Sequence, residues 1–172
     1  ERAGQFQKAE AVFRAALKIR PDSAQVLNYL GYSLVDRNEN LDEALKLIQR
    51  AVELRPDDGY ILDSLAWAYY RLGRYDEAVA PMERAVAAMA SDSLVNDHMG
   101  DIYWMAGRKR EAEIQWHRAQ SHKPQTEPEA HRIRAKHHRG LDAVLAEEKA
   151  NGGKQPPPPP PPEPASQDEA SD

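Results

Sequence analysis

The chain has 172 residues, 41% of them hydrophobic and 30% charged, with a formal net charge of -5. That length holds one or two ordinary domains or a short repeat array, and the lack of cysteine excludes a disulfide scaffold, a thiolate zinc site and a cysteine nucleophile while leaving the redox compartment open. No apolar run approaches the roughly 20 residues needed to span a bilayer.

Taken in chain order, the sequence repeats itself every 34 or 35 residues. Residues 5–20 hold the first copy of a small–bulky–small set, Ala9, Phe13 and Ala16, at helical spacing. Glu1 to Gly4 read as the end of a preceding helix, so residues 5–20 are expected to lack their partner and the chain to be part of a longer array. Residues 24–58 place Leu27, Leu30 and Leu34 on one helical stripe, then Ala44, Ile48 and Ala51 on a second. Between them VDRNENLDEA has no turn glycine, so Asn38 or Asn40 is expected at positive φ. Pro56 stops the second helix.

Residues 59–92 repeat the pattern with Ala78, Met82 and Ala85, and RLGRYDEA supplies a hairpin in which Gly73 takes the left-handed conformation. Ala90 stands where proline occurs in the other copies, so the helix carrying RAVAAM is expected to run slightly long. Residues 93–126 give Ala112, Trp116 and Ala119, and Pro124 ends them. An earlier small set, Gly31, Ala66 and Gly100, lets two helix backbones approach closely while bulky neighbours fill the flanks. From 127 to 150, Thr126 with Glu129 forms a capping box, and Ala130, Ile133, Leu141, Val144 and Leu145 form an apolar stripe. Arg134 replaces the small residue, and a polar capping helix, bent at Gly140, is expected. Residues 151–172 hold no aromatic or large aliphatic residue, and Pro156 to Pro162 predict a polyproline rod in a disordered, acidic tail that reads as a solubilising linker.

Over about residues 1–126 this pattern resembles the tetratricopeptide repeat. The resemblance implies an all-α solenoid of helix–turn–helix units wound in a right-handed superhelix: a second helix at 1–23, full repeats at 24–58, 59–92 and 93–126, then the capping helix and the tail. The phrases LNYLGYSLVDR, LDSLAWAYYRLGRYDEA and VNDHMGDIYWMAGRKREA are similar to C-terminal repeats of large bacterial members. Some of those are exported or lipid-anchored adaptors, which implies an adaptor at a bacterial cell envelope; compartment and oligomeric state stay open.

Catalytic signatures are missing: there is no GxGxxG, Walker-type glycine loop, GxSxG or HExxH. The chain is therefore read as a non-enzyme without cofactor or metal. Its six histidines, His98 to His138, read as surface groups on a cationic cap, since thiolate and HxxxH partners for zinc are absent. Charge is segregated into residues 1–107 at -5, 108–139 at +5 and 140–172 at -5. The basic block, with Arg108, Lys109, Arg110, Arg132, Arg134, Lys136 and Arg139, gives an alternative reading as a nucleic-acid or anionic-surface binder. A solvated cap is the simpler one.

The resemblance further implies that first helices line a concave surface, on which Asn28, Tyr32, Tyr60, Asp63, Trp67, Tyr70, Asp97, Asp101 and Trp104 occupy groove positions. Rings supply contact area at low entropy cost and carboxylates select cationic or amide-rich partners, so the expected ligand is a neutral to basic peptide or protein segment. The slots that grip a free C-terminal carboxylate in chaperone-binding members hold Asn28, Tyr32, Ser64, Leu94 and His98 here, a poor clamp. A third possibility is that the Pro156–Pro162 rod docks on the groove aromatics.

Overall fold

The structure, a computed structural model, describes residues 2–152, with side chains from Gly4 onward. Over these residues it is helical throughout: α1 (Arg2–Ile19), α2 (Ala24–Asp36), α3 (Leu41–Leu54), α4 (Gly59–Arg71), α5 (Tyr75–Ala88), α6 (Ser93–Met105), α7 (Lys109–Ser121), α8 (Glu127–Arg139) and α9 (Leu141–Ala150). The pairs α2–α3, α4–α5 and α6–α7 pack as hairpins, and each hairpin stacks on the next.

The start of each repeat is fixed by a polar side chain at the same register. Ser23, Asp58, Asp92 and Thr126 sit in extended backbone and accept from N–H groups in the first turns of α2, α4, α6 and α8. Within each hairpin a small residue on the first helix meets a bulky one on the second. A Cβ on Gly31 would lie 2.5 Å from Ile48 Cγ1, and one on Gly100 would enter the Trp116 indole. Ile48, Met82 and Trp116 are fully buried as a result. Their counterpart Phe13 in α1 is only half-buried, as are Ala9 and Ala16.

Both Asn38 (φ 56°) and Asn40 (φ 45°) adopt the left-handed conformation, so the glycine-free turn uses two asparagines rather than one. Gly73 and Gly107 turn the other two hairpins. Three expectations change. Gly4 lies inside α1 at negative φ, so residues 2–4 continue that helix instead of ending another. The helix carrying RAVAAM does not run long: α5 has the same 14 residues as α3. Met89 covers the start of α4, where a Cβ on Gly59 would lie 2.7 Å from its sulfur, and this contact with the Asp92 cap stops α5 without proline. Finally, residues 127–150 form two helices, because Gly140 takes φ 82°, ψ 158°, a region open essentially to glycine alone. The expectations for the tail beyond Gly152, including the proline rod, lie outside the described residues. Among the described residues no helix is long and apolar enough to cross a membrane.

Candidate functional site

Residues three or four apart share one helix face, so Asn28 with Tyr32 on α2, Asp63 with Trp67 and Tyr70 on α4, and Asp97 with Asp101 and Trp104 on α6 form three short rows. The structure separates the nine predicted groove residues into three environments. Asn28, Tyr32, Tyr60 and Asp63 border an open cleft of about 890 Å³, walled also by Phe13 and Tyr29. Tyr60 is 66% exposed. Tyr32 is half-buried, and burial together with the nearby Asp63 and Asp36 carboxylates pushes its phenol well above the usual tyrosine range.

Trp67 and Tyr70 form a second environment. Their rings stack at 4.4 Å, and Trp67 stacks again on the His98 imidazole at 3.9 Å. His98 is buried and lies 2.8 Å from an Asp63 oxygen, which corrects its reading as a surface histidine. Burial alone would lower its pKa, but the Asp63 charge and hydrogen bond outweigh that and raise it.

Asp97, Asp101 and Trp104 form the third, and the chain itself fills it. The Lys136 ammonium of α8 is wholly buried, 2.5 Å from Asp97 and 2.7 Å from Asp101. The Trp116 indole N–H donates to the same Asp101 oxygen at 3.0 Å, and Arg132 lies 3.8 Å from the other. Burial raises the pKa of Asp97 despite Lys136. Trp104 packs on Gly140 and donates its indole N–H to Asp142 on α9 at 3.1 Å. Two of the three groove carboxylates thus face an internal lysine, and the third faces a histidine.

The same packing alters the reading of the basic block. Lys136 is fully buried, Arg132 bonds Glu148 at 2.6 Å, Arg139 bonds Glu147 at 2.7 Å, and Arg108 bonds Glu111 at 3.1 Å. Sequence reasoning missed His98 and Lys136 as site residues. A signal existed: each follows a carboxylate, Asp63 or Asp101, by 35 residues, so each comes from the next first helix.

The family description "Tetratricopeptide repeat" matches residues 1–23 and 22–91. The chain is 42% identical over 74 residues to a TPR repeat-containing protein of Pseudomonas aeruginosa, and the match covers 43% of this chain. It is 37% identical over 70 residues, 41% of this chain, to the peroxisomal targeting signal receptor of Eremothecium gossypii. Each alignment spans 12% of the relative's own length. Among solved structures, a crystal structure of MamA superposes with a TM-score of 0.63 at 18% identity, covering 88% of this chain and 94% of that one. The first TPR domain of human RPAP3 gives 0.61 at 21% identity, over 76% and 98% of the two chains. The Yersinia enterocolitica type III secretion translocator chaperone SycD gives 0.60 at 19%, over 72% and 94%. At these identities the structural likeness shows the fold.

Proposed function

Because the chain belongs to the tetratricopeptide-repeat family, we propose that it is a non-catalytic scaffold that holds a peptide or protein segment along its first helices, in the cleft walled by α1, α2 and α4. The observation that carries this is the division of the groove. The third repeat's carboxylates and indole face Lys136 of α8 and Asp142 of α9, whereas Asn28, Tyr32, Tyr60 and Asp63 of the first two repeats border open space lined with rings. An exposed tyrosine on such a wall offers a large, stiff, amphipathic contact. Asp36, Asp58 and Asp63 along the cleft favour a neutral to basic segment. The relative named as a targeting-signal receptor supports the reading of a short segment, and the Pseudomonas relative is in keeping with a bacterial protein, for which we propose the cell envelope as the setting.

The alternative of nucleic-acid binding through residues 108–139 is disfavoured by the ion pairs of Lys136, Arg132, Arg139 and Arg108. The test of the groove is direct. Peptides selected against the whole chain should shift the amide resonances of Tyr32, Tyr60 and Asp63, and Tyr60→Ala should weaken their binding by about 1–2 kcal/mol. Unaltered affinity with intact helicity would overturn the assignment.

A further inference from the structure

The three first helices carry an equivalent polar residue at one position: Asn28 on α2, Asp63 on α4 and Asp97 on α6. In the second and third repeats this residue meets a donor from the next first helix. Asp63 has His98 of α6 at 2.8 Å, and Asp97 has Lys136 of α8 at 2.5 Å. The first repeat breaks the series. The residue of α4 in register with His98 is Ser64, whose hydroxyl donates instead to Tyr60 O at 3.0 Å, and the one in register with Lys136 is Ala68. Among the described residues Asn28 is left without a donor: it is 8% exposed, lines the cleft, and its Oδ1 is buried with no hydrogen-bond partner. A buried carbonyl in that state lacks the hydrogen bond that would offset its desolvation. Among the described residues no side-chain hydrogen bond fixes the amide at the cleft wall.

We propose that this cleft takes the ammonium of a lysine carried on a helical segment of a partner protein, as α6 takes Lys136 from α8. The inference rests on the groove reading above and adds the chemistry of what the groove reads. Charge favours a cation: Asp36, Asp58 and Asp63 line the cleft, Arg55 lies 4.0 Å from Asp58 and His98 faces Asp63, so Asp36 on the rim is the lining carboxylate with no cationic partner among the described residues. A point charge suits the site better than a guanidinium fork. One Asp63 oxygen is taken by His98, so the paired acceptors that reward bidentate arginine are not presented. The walls fit the rest of the side chain, since Tyr32, Tyr60 and the Phe13–Tyr29 pair, 6.0 Å apart, offer apolar surface along which a lysine stem lies with its charged end at a polar acceptor.

The experiment uses the whole chain as bait for a phage-displayed library of random 16-residue peptides. Winning peptides are synthesised with each lysine in turn replaced by norleucine. The proposal expects peptides that shift Asn28, Tyr32 and Asp63 resonances and share one lysine whose replacement weakens Kd by about tenfold or more. Binding should also fall in Asn28→Leu, and by about threefold in Asp36→Asn, an exposed rim change that keeps the test sound if the buried variant misfolds. Peptides that bind in the cleft yet lose less than tenfold at every lysine overturn the lysine inference and leave the scaffold reading standing. Recovery of no peptides, or of peptides mapped away from the cleft, overturns both.

Discussion

Lys136 carries a charge in a place with no solvent, and it is tolerated because two carboxylates and the face of the Trp116 ring surround it. Removing one member of such a set leaves the others uncompensated, which costs more than the pair contributes. Lys136→Met should therefore destabilise the packing of α8 and α9 on the array by roughly 3–5 kcal/mol, read in urea denaturation at neutral pH from a probe in those helices. Adding Asp97→Asn and Asp101→Asn should recover much of that loss, because no unpaired charge remains. His98 gives the pH signature. Its folded pKa lies above the unfolded value near 6.5, so its stabilisation is complete below that pH and is lost as pH rises through the folded value. His137 is shifted the other way, first by burial and then by its neighbours His138 and His117, and so acts below pH 6.5. The denaturation midpoint of the native chain should fall as pH rises above 6.5 through the folded His98 pKa, and His98→Gln should flatten that fall. An unchanged slope in the variant would remove His98 as the titrating group.

The helices and their ends divide into those that sequence periodicity makes visible and those that depend on tertiary contact. The small–bulky alternation of Ala44, Ile48 and Ala51 and its copies is a local pattern, and it locates α3, α5 and α7 and their packing. The break at Gly140 could not be placed from spacing alone, because a glycine in an apolar stripe fits a bend as well as a full stop. The stop is decided by Trp104, whose ring occupies the space a Cβ at 140 would need, 2.6 Å away. Gly140→Ala should therefore cost at least about 3 kcal/mol, combining backbone strain with the clash. Gly73→Ala has similar positive φ but nothing within 4 Å, and should cost only about 1 kcal/mol. Pro81 lies inside α5, where it removes an internal hydrogen bond and crowds the preceding turn. Pro81→Ala should stabilise the chain by up to about 3 kcal/mol, read as a higher denaturant midpoint.

At the scale of the molecule, the surroundings of the candidate groove residues were half legible. The residue types at Tyr32, Tyr60 and Asp63 pointed to a contact surface, but the partners of Asp97 and Asp101 arrive from one repeat further on. Only the packing of α8 on α7, which brings the Lys136 side chain to α6, shows that those carboxylates are engaged. That stacking also sets how stability is distributed. In an array whose units touch only their neighbours, local stability follows the number of well-packed interfaces each unit owns. The central hairpins α4–α5 and α6–α7 share a cluster holding Leu62, Met82, Met99 and Trp116, each at most 2% exposed, and Ile133 and Leu141 of the terminal pair join it. At the other end α1 keeps Ala9, Phe13 and Ala16 half-exposed, although its Arg14 bonds Glu43 at 2.7 Å and Glu10 bonds Arg37 at 3.0 Å. Half-buried ion pairs of this kind contribute on the order of 1 kcal/mol and do not replace a buried interface. Native-state hydrogen exchange should therefore show a gradient: weakest protection in α1, strongest in α4 to α7, and protection of α8 and α9 closer to the centre than to α1. Lys136→Met should collapse the last of these, bringing α8 and α9 down to the level of α1 while leaving α2 to α5 unchanged. Loss of protection spread evenly over the chain would instead mean that the array unfolds as one cooperative unit and that the buried lysine stabilises the whole molecule.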